Sequence, residues 1–105
     1  MPMITLEYDN GKVQDSEIQQ LSEAIQKIVS ETTQIKDVFV YANSSHIKVK
    51  IAPIEIWVRM SAWKIKDLEE LMNQVKTQLL EWKKQNNFAH PINLTIIPMQ
   101  WKVEV

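Results

Sequence analysis

Proline directly follows the start methionine, in the run Met1-Pro2-Met3-Ile4-Thr5-Leu6-Glu7-Tyr8. While Met1 is attached, the proline nitrogen is an amide with no basic lone pair. Cellular processing ordinarily removes methionine before proline, and the same nitrogen then becomes a secondary amine at a chain terminus. A terminal amine has a pKa of about 7.7–8.0. An apolar pocket beside cations disfavours its charged form and lowers that value. A neutral amine near pH 7 is a general base, and positioned proton transfer of this kind is worth about 10²–10⁴ in rate. The proline ring also fixes the direction of the lone pair. The plain alternative is that Pro2 only caps the start of a strand, where proline is tolerated. Arg59 is the single arginine of the chain. It is either a substrate clamp or one half of a structural salt bridge across a subunit boundary. Lys64, five residues further on, either assists Arg59 or is solvated.

Composition bounds what else such residues could do. With 105 residues, 45% of them hydrophobic and 24% charged, the chain has the size of one domain, expected to span 1–105. A formal net charge of −1 leaves no electrostatic footprint for nucleic acid. The chain has no cysteine and two isolated histidines, His46 and His90. Neither a zinc site nor a thiol nucleophile is expected from these, and no metal or cofactor is assigned. A single glycine excludes a glycine-rich phosphate loop. No basic segment followed by an apolar run opens the chain, and no apolar stretch is long enough to span a membrane. A cytoplasmic protein is expected, without a membrane partner.

The elements that must hold Pro2 and the cations follow from periodicity. Met3 to Tyr8 alternates, with Ile4, Leu6 and Tyr8 on one face, and predicts a strand that Asp9-Asn10-Gly11 ends. Ser16 and Gln19 fit a capping box, and Ile18, Leu21, Ile25, Ile28 and Val29 predict a helix to about Thr32. Val38 to Ala42 predicts a second strand. Ile47, Val49 and Ile51 alternate with Lys48 and Lys50 and predict a short third strand, stopped by Pro53. Ile54 to Ala62 predicts a longer strand, with Ile54, Ile56, Val58 and Met60 on one side and Trp57, Arg59 and Ser61 on the other. Asp67 and Glu70 form a second cap signal, and Leu68, Leu71, Met72, Val75 and Leu79 carry a helix to about Lys84. Pro91 introduces a strand through Ile92, Leu94 and Ile96. Pro98 interrupts it before a tail strand, Trp101 to Val105.

The order also reads as one unit used twice. Ile18, Leu21 and Ile25 recur as Leu71, Val75 and Leu79, and Val38 recurs as Ile92. Two α+β folds share this arrangement. In a ferredoxin-like sandwich the second face of the sheet is open. In the other fold two βαβ repeats form a four-stranded sheet with two helices on one face, and the second face is buried against other subunits. Trp57, Tyr41 and Phe39 or its neighbours would give that face more aromatic surface than a wet face carries. A buried second face, and so an oligomer, is the expectation.

Pro2-Met3-Ile4-Thr5-Leu6-Glu7-Tyr8 with Asp9-Asn10, and Val58-Arg59-Met60-Ser61-Ala62-Trp63-Lys64-Ile65, resemble the two strand openings of the tautomerase superfamily. Within it the likeness is to the 5-carboxymethyl-2-hydroxymuconate isomerase branch. The fold implied is that of 4-oxalocrotonate tautomerase and macrophage migration inhibitory factor. Gly11-Lys12 is similar to the glycine-arginine pair of 4-oxalocrotonate tautomerase, with lysine for arginine. The resemblance covers essentially the whole chain. It implies a homotrimer with three pockets at subunit boundaries and Pro2 as catalytic base. Lys12 would be a carboxylate-binding cation, joined by Arg59 and Lys64 in binding substrate. The implied reaction is keto–enol tautomerisation of a small unsaturated 2-hydroxy or 2-oxo acid.

The chain also departs from that pattern. Asp37-Val38-Phe39-Val40-Tyr41 has no arginine where related second strands usually carry one, and Trp63-Lys64-Ile65-Lys66 has neither glycine nor arginine. A lysine does not reproduce bidentate guanidinium recognition. Three consequences stay open: a substrate that is not a dicarboxylate, Arg59 acting from another direction, or a non-catalytic scaffold of the same fold.

Overall fold

The computed structural model describes residues 2–100. Its elements follow in the order β1 (Met3–Tyr8), α1 (Asp15–Thr33), β2 (Phe39–Asn43), β3 (Ile54–Ser61), a 3₁₀ turn (Ala62–Lys64), α2 (Leu68–Gln85) and β4 (Asn93–Met99). The strands form one sheet in the order β2-β1-β3-β4. β1 runs parallel to β2 and antiparallel to β3, and β3 runs parallel to β4. Each half is therefore a βαβ unit whose two strands are direct neighbours, and the halves meet along the β1–β3 seam. A ferredoxin-like sheet is built from split βαβ units. The hydrogen-bonded β1–β2 and β3–β4 pairs remove that alternative. Helix starts at 15 and 68, and strand starts at 39 and 93, keep the 53- or 54-residue offset seen in the apolar pattern.

One face of the sheet and one stripe of each helix make the core. Ile4, Leu6, Ile54, Ile56 and Val58 meet Ile18, Leu21, Ile25, Ile28 and Val29 of α1 and Val75 and Leu79 of α2. Full burial of such a side chain is worth about 1.5–3 kcal/mol, so this layer dominates folding. The second face carries three rows across the sheet, set by the register. These are Phe39–Met3–Arg59–Ile97, Tyr41–Thr5–Trp57–Thr95 and Asn43–Glu7–Glu55–Asn93. The aromatic residues expected on that face are there, with Phe39 and Tyr41 exposed.

Caps set the helix limits. Asp67 accepts the Glu70 amide proton through Oδ1 at 3.1 Å and starts α2 as its sequence signal predicts. Asp67→Ala is expected to cost about 1 kcal/mol, read as a lower urea midpoint at unchanged slope. A midpoint equal to wild type would show that the cap contributes nothing. The Ser16 signal is not the cap of α1. Val13 is buried and Glu17 Oε1 accepts the Gln14 N–H at 3.0 Å, so the helix begins at Asp15 with Gln14 as its cap residue. Gln34, at φ 60°, ends α1, while Asn87, at φ 52°, follows α2.

The short strand expected over Ile47–Ile51 is absent. Residues 44–53 form an irregular connection, with Ile47 81% and Val49 98% exposed. Alternation predicts which side chains share a face, but a strand also needs a neighbour for its ladder bonds, and this chain supplies none there. Pro98 does not interrupt β4. It lies inside the strand, paired with Met60, on an edge where a missing N–H can face outward. The tail strand expected over Trp101–Val105 lies outside the described residues.

Candidate active site

Pro2 sits immediately before β1. Its side chain is fully buried, and its carbonyl accepts the Phe39 N–H at 3.2 Å, which carries the β1–β2 pairing one residue further. Strand alternation places it on the helix-covered face with Ile4 and Leu6. Met3 pairs with Arg59, so the next step of the same register sets Pro2 beside Met60. Met60 lines a cleft of about 300 Å³ together with Thr32 and Thr33 at the end of α1, the lysines Lys64 and Lys66, and the carboxylates Asp67 and Glu70. A larger, shallow hollow of about 600 Å³ lies along α2, lined by carboxylates and amides including Asp67, Glu69 and Glu70. It shares Asp67 and Glu70 with the smaller cleft but, unlike that cleft, has no lysine on its lining.

Lys64 is the expected cation that the fold brings to the Pro2 end of the sheet. It stands on the 3₁₀ turn after β3, with Nζ 4.4 Å from the centre of the Trp63 ring. A cation over a ring at an exposed site gains about 0.5–1 kcal/mol, enough to bias the side chain without neutralising it. Pro2 does not line the cleft itself.

Arg59 and Lys12 are placed elsewhere. Arg59 is half-buried on the second sheet face, and its Nη1 donates to Thr5 Oγ1 at 3.3 Å, leaning towards the middle of β1 rather than towards Pro2. Among the described residues of the single chain it forms no ion pair. Lys12 is exposed just beyond the far end of β1. Six strand residues at about 3.3 Å each put it about 20 Å from Pro2 of the same chain. Within one chain, then, Pro2 and Lys64 share an end and a side of the sheet, while Lys12 and Arg59 do not join them.

The turn that carries Lys12 is tightly organised. Asp9 Oδ1 accepts hydrogen bonds from the Gly11 N–H at 3.0 Å and from Lys48 Nζ at 3.3 Å. Lys48 also donates to Asn10 Oδ1. The Gly11 amide first, and then Lys48, hold the Asp9 carboxyl below the ordinary carboxylate range. A Cβ on residue 11 would meet Asp9 Oδ1 at 3.2 Å, so a larger residue there would push that carboxylate back by a few tenths of an ångström. Glu17 is lowered likewise, by the Gln14 amide and by His90, whose Nε2 lies 2.8 Å from Glu17 Oε2. Both folded values lie below the unfolded ones. Their stabilisation is therefore complete above the unfolded carboxylate values of about 4 and is lost as pH falls through the folded values. The thermal midpoint is expected to drop below about pH 4, less steeply in Asp9→Asn. A midpoint that stays flat through that range would contradict the assignment.

Comparison with solved structures places the whole chain. A crystal structure of malonate semialdehyde decarboxylase matches it with a TM-score of 0.70 at 10% identity, over 98% of this chain and 91% of that one. A structure of Pt0534 inactivated by 2-oxo-3-pentynoate gives 0.69 at 14% identity, over 93% and 85%. A fused 4-OT asymmetric trimer gives 0.65 at 11% identity, over 93% and 86%. The chain has the tautomerase fold. No family model matches it, and no curated protein matches it by sequence.

In this tautomerase fold the cleft residues Thr32, Thr33 and Leu71 gained no role from the sequence. They come from distant segments, each reading only as part of an amphipathic helix. The repeat offset was the one available signal. It places two similar helices on one sheet face and so brings the end of one towards the start of the other.

Proposed function

We propose that the protein is a keto–enol tautomerase of small unsaturated 2-hydroxy or 2-oxo acids, similar to 5-carboxymethyl-2-hydroxymuconate isomerase, working as a homotrimer. Removal of Met1 frees the Pro2 nitrogen. Pro2 takes a proton from the enol hydroxyl or the α-carbon and returns it at another carbon, so substrate and product differ only in proton position. Lys64 holds the substrate carboxylate, and the buried surroundings of Pro2 favour its neutral form. One observation carries this reading. Pro2 is buried at the end of the sheet where a cleft of about 300 Å³ has Lys64 on its lining. The fold adds support, since a neighbour of the same architecture is inactivated by a 2-oxo acid and another is a trimer.

In a trimer Lys12 and Arg59 serve pockets other than that of their own Pro2. Lys12 stands at the opposite end of β1, and Arg59 leaves the sheet on the face that another copy would cover. The test is loss of enol absorbance of 2-hydroxymuconate and phenylenolpyruvate with Met1-free protein. Lys64→Ala is expected to raise KM about 10-fold or more, as loss of a hydrogen bond to a charged group predicts. Unchanged KM would remove Lys64 from substrate binding.

A second reading, a non-catalytic scaffold of the same fold, is favoured by the distance of Lys12 and Arg59 from Pro2 in the single chain. Assembled, Met1-free protein without enol turnover would select it.

A further inference from the structure

One buried polar side chain in this molecule has nothing to bond to. Ser61 ends β3 and is 1% exposed, and its hydroxyl has no hydrogen-bond partner among the described residues. The hydroxyls of Ser22 and Ser44 share that lack, but those two residues are only half-buried. Ser61 is the one fully buried polar residue among those described. A buried hydroxyl without a partner carries the full cost of leaving water, so nearly all are bonded. Its strand neighbours do not help. Met60 precedes it and Met99 pairs with it from β4, and neither side chain carries an oxygen or a nitrogen.

The register gives that hydroxyl a chemical neighbour. β1 and β3 run antiparallel with Met3 opposite Arg59, and one step further sets Pro2 beside Met60. Ser61 is therefore level with the stretch of chain just before the Pro2 Cα, where the Pro2 nitrogen lies. Opposite residues in such a pair are about 4.5–5.5 Å apart, a gap that a serine side chain and a hydrogen bond, direct or through one water, can span. The nitrogen lies in the plane of the sheet. The alternation that puts the Pro2 ring on the helix side and Ser61 on the other therefore does not separate them. While Met1 is attached, the nitrogen has no N–H and no basic lone pair, and it offers Ser61 nothing. Once Met1 is removed it is a secondary amine, with one N–H when neutral and two when protonated.

We propose that Ser61 is a positioning residue for Pro2, its hydroxyl accepting an N–H from the amine that removal of Met1 exposes. This deepens the proposed function and rests on Pro2 being the base. In the neutral amine Ser61 takes the single N–H, so the lone pair is left facing substrate. After proton transfer Ser61 keeps that N–H, and the second one is free to return its proton at another carbon. The bond is stronger to the charged amine than to the neutral one. The same assignment explains why the hydroxyl is unpaired in a chain that still begins at Met1. Other charged groups near this end of the sheet are Glu31 late in α1, Lys36 and Asp37 ahead of β2, and Arg59 on β3. Lys64, Lys66, Asp67 and Glu70 line the cleft. All of them stay unchanged when Ser61 alone is replaced.

The experiment titrates the Pro2 nitrogen by nitrogen NMR in Met1-free protein carrying isotope-labelled proline, wild type against Ser61→Ala. Of the four prolines only Pro2 then has an amine nitrogen, so its signal is the one that moves with pH. Alanine keeps the Cβ, and circular dichroism is expected to match wild type. Losing a hydrogen bond to the charged amine is expected to lower the Pro2 pKa by about one pH unit. The acid limb of kcat/KM for phenylenolpyruvate moves down by the same amount. Melting temperature gives a second reading at a pH where the amine is protonated. S61A is expected to melt below wild type in the Met1-free form, but not in the Met1-retained form, where the hydroxyl has no partner to lose. A Pro2 titration that stays put or moves up in S61A, or equal melting losses in both forms, would overturn the proposal. The titration needs no turnover. A missing shift beside Pro2-dependent turnover removes Ser61 and leaves the proposed function, while a shift without turnover keeps the contact and removes the function.

Discussion

Pro2→Ala is expected to lower kcat for enol ketonisation by about 10²-fold or more while leaving the oligomer intact. Alanine, like proline, permits removal of the start methionine, so the variant still ends in an amine. What it loses is the ring. The ring fixes the lone-pair direction and fills a fully buried place at the start of β1. Losing about two buried methylene equivalents costs about 1–2 kcal/mol, which lowers the melting temperature by several degrees without unfolding the domain at 25 °C. Effects on stability and on kcat are therefore separable in the same sample. KM is expected to change little, because the carboxylate is held by Lys64 rather than by the base. A variant with wild-type kcat would remove Pro2 from the chemistry and leave its burial as purely structural.

The second large effect is on folding. Ile56→Ala is expected to destabilise the protein by about 2–5 kcal/mol. Ile56 is fully buried and lies between Leu6 of β1 and Leu94 of β4 in the register, with both helices packed above that face. Removing its outer carbons leaves a void in the centre of the layer that both repeats share. Domains of this kind are stable by about 5–15 kcal/mol in all, so the loss is a large fraction of the total. Val49→Ala, at a position 98% exposed, is expected to stay within about 0.5 kcal/mol of wild type in the dissociated chain. Urea unfolding separates the two. A cost below about 1 kcal/mol at Ile56 would mean that the core relaxes around the missing atoms.

Much of the fold is legible in the sequence because its signals are local. The alternation of Met3 to Tyr8 matches β1, and Asp67 with Glu70 marks the start of α2 within a residue. The two-copy pattern of Ile18, Leu21 and Ile25 against Leu71, Val75 and Leu79 anticipates two helices on one sheet. What misled is equally physical. Ile47 to Ile51 has a strand pattern without a strand, because pairing is a property of the neighbour rather than of the segment. Pro98 is accommodated at an edge, which no local pattern reveals until the strand order is known.

The site is less legible than the fold. Pro2 announces itself by chemistry alone, and Lys64 by following the second strand opening. The direction of Arg59, tied to Thr5 and turned from Pro2, depends on strand parity at both ends of a seam. The cleft beside Met60 needs the end of α1, at Thr33, and the start of α2, at Leu68, together, and these belong to different repeats.

The most direct measurement compares one protein in two forms, with Met1 removed and with Met1 retained, each verified by intact mass and assayed for ketonisation of phenylenolpyruvate. With Pro2 as the base, the shorter form turns the enol over and the longer form, whose proline nitrogen is an amide, does not. Equal rates in the two forms would contradict catalysis by Pro2.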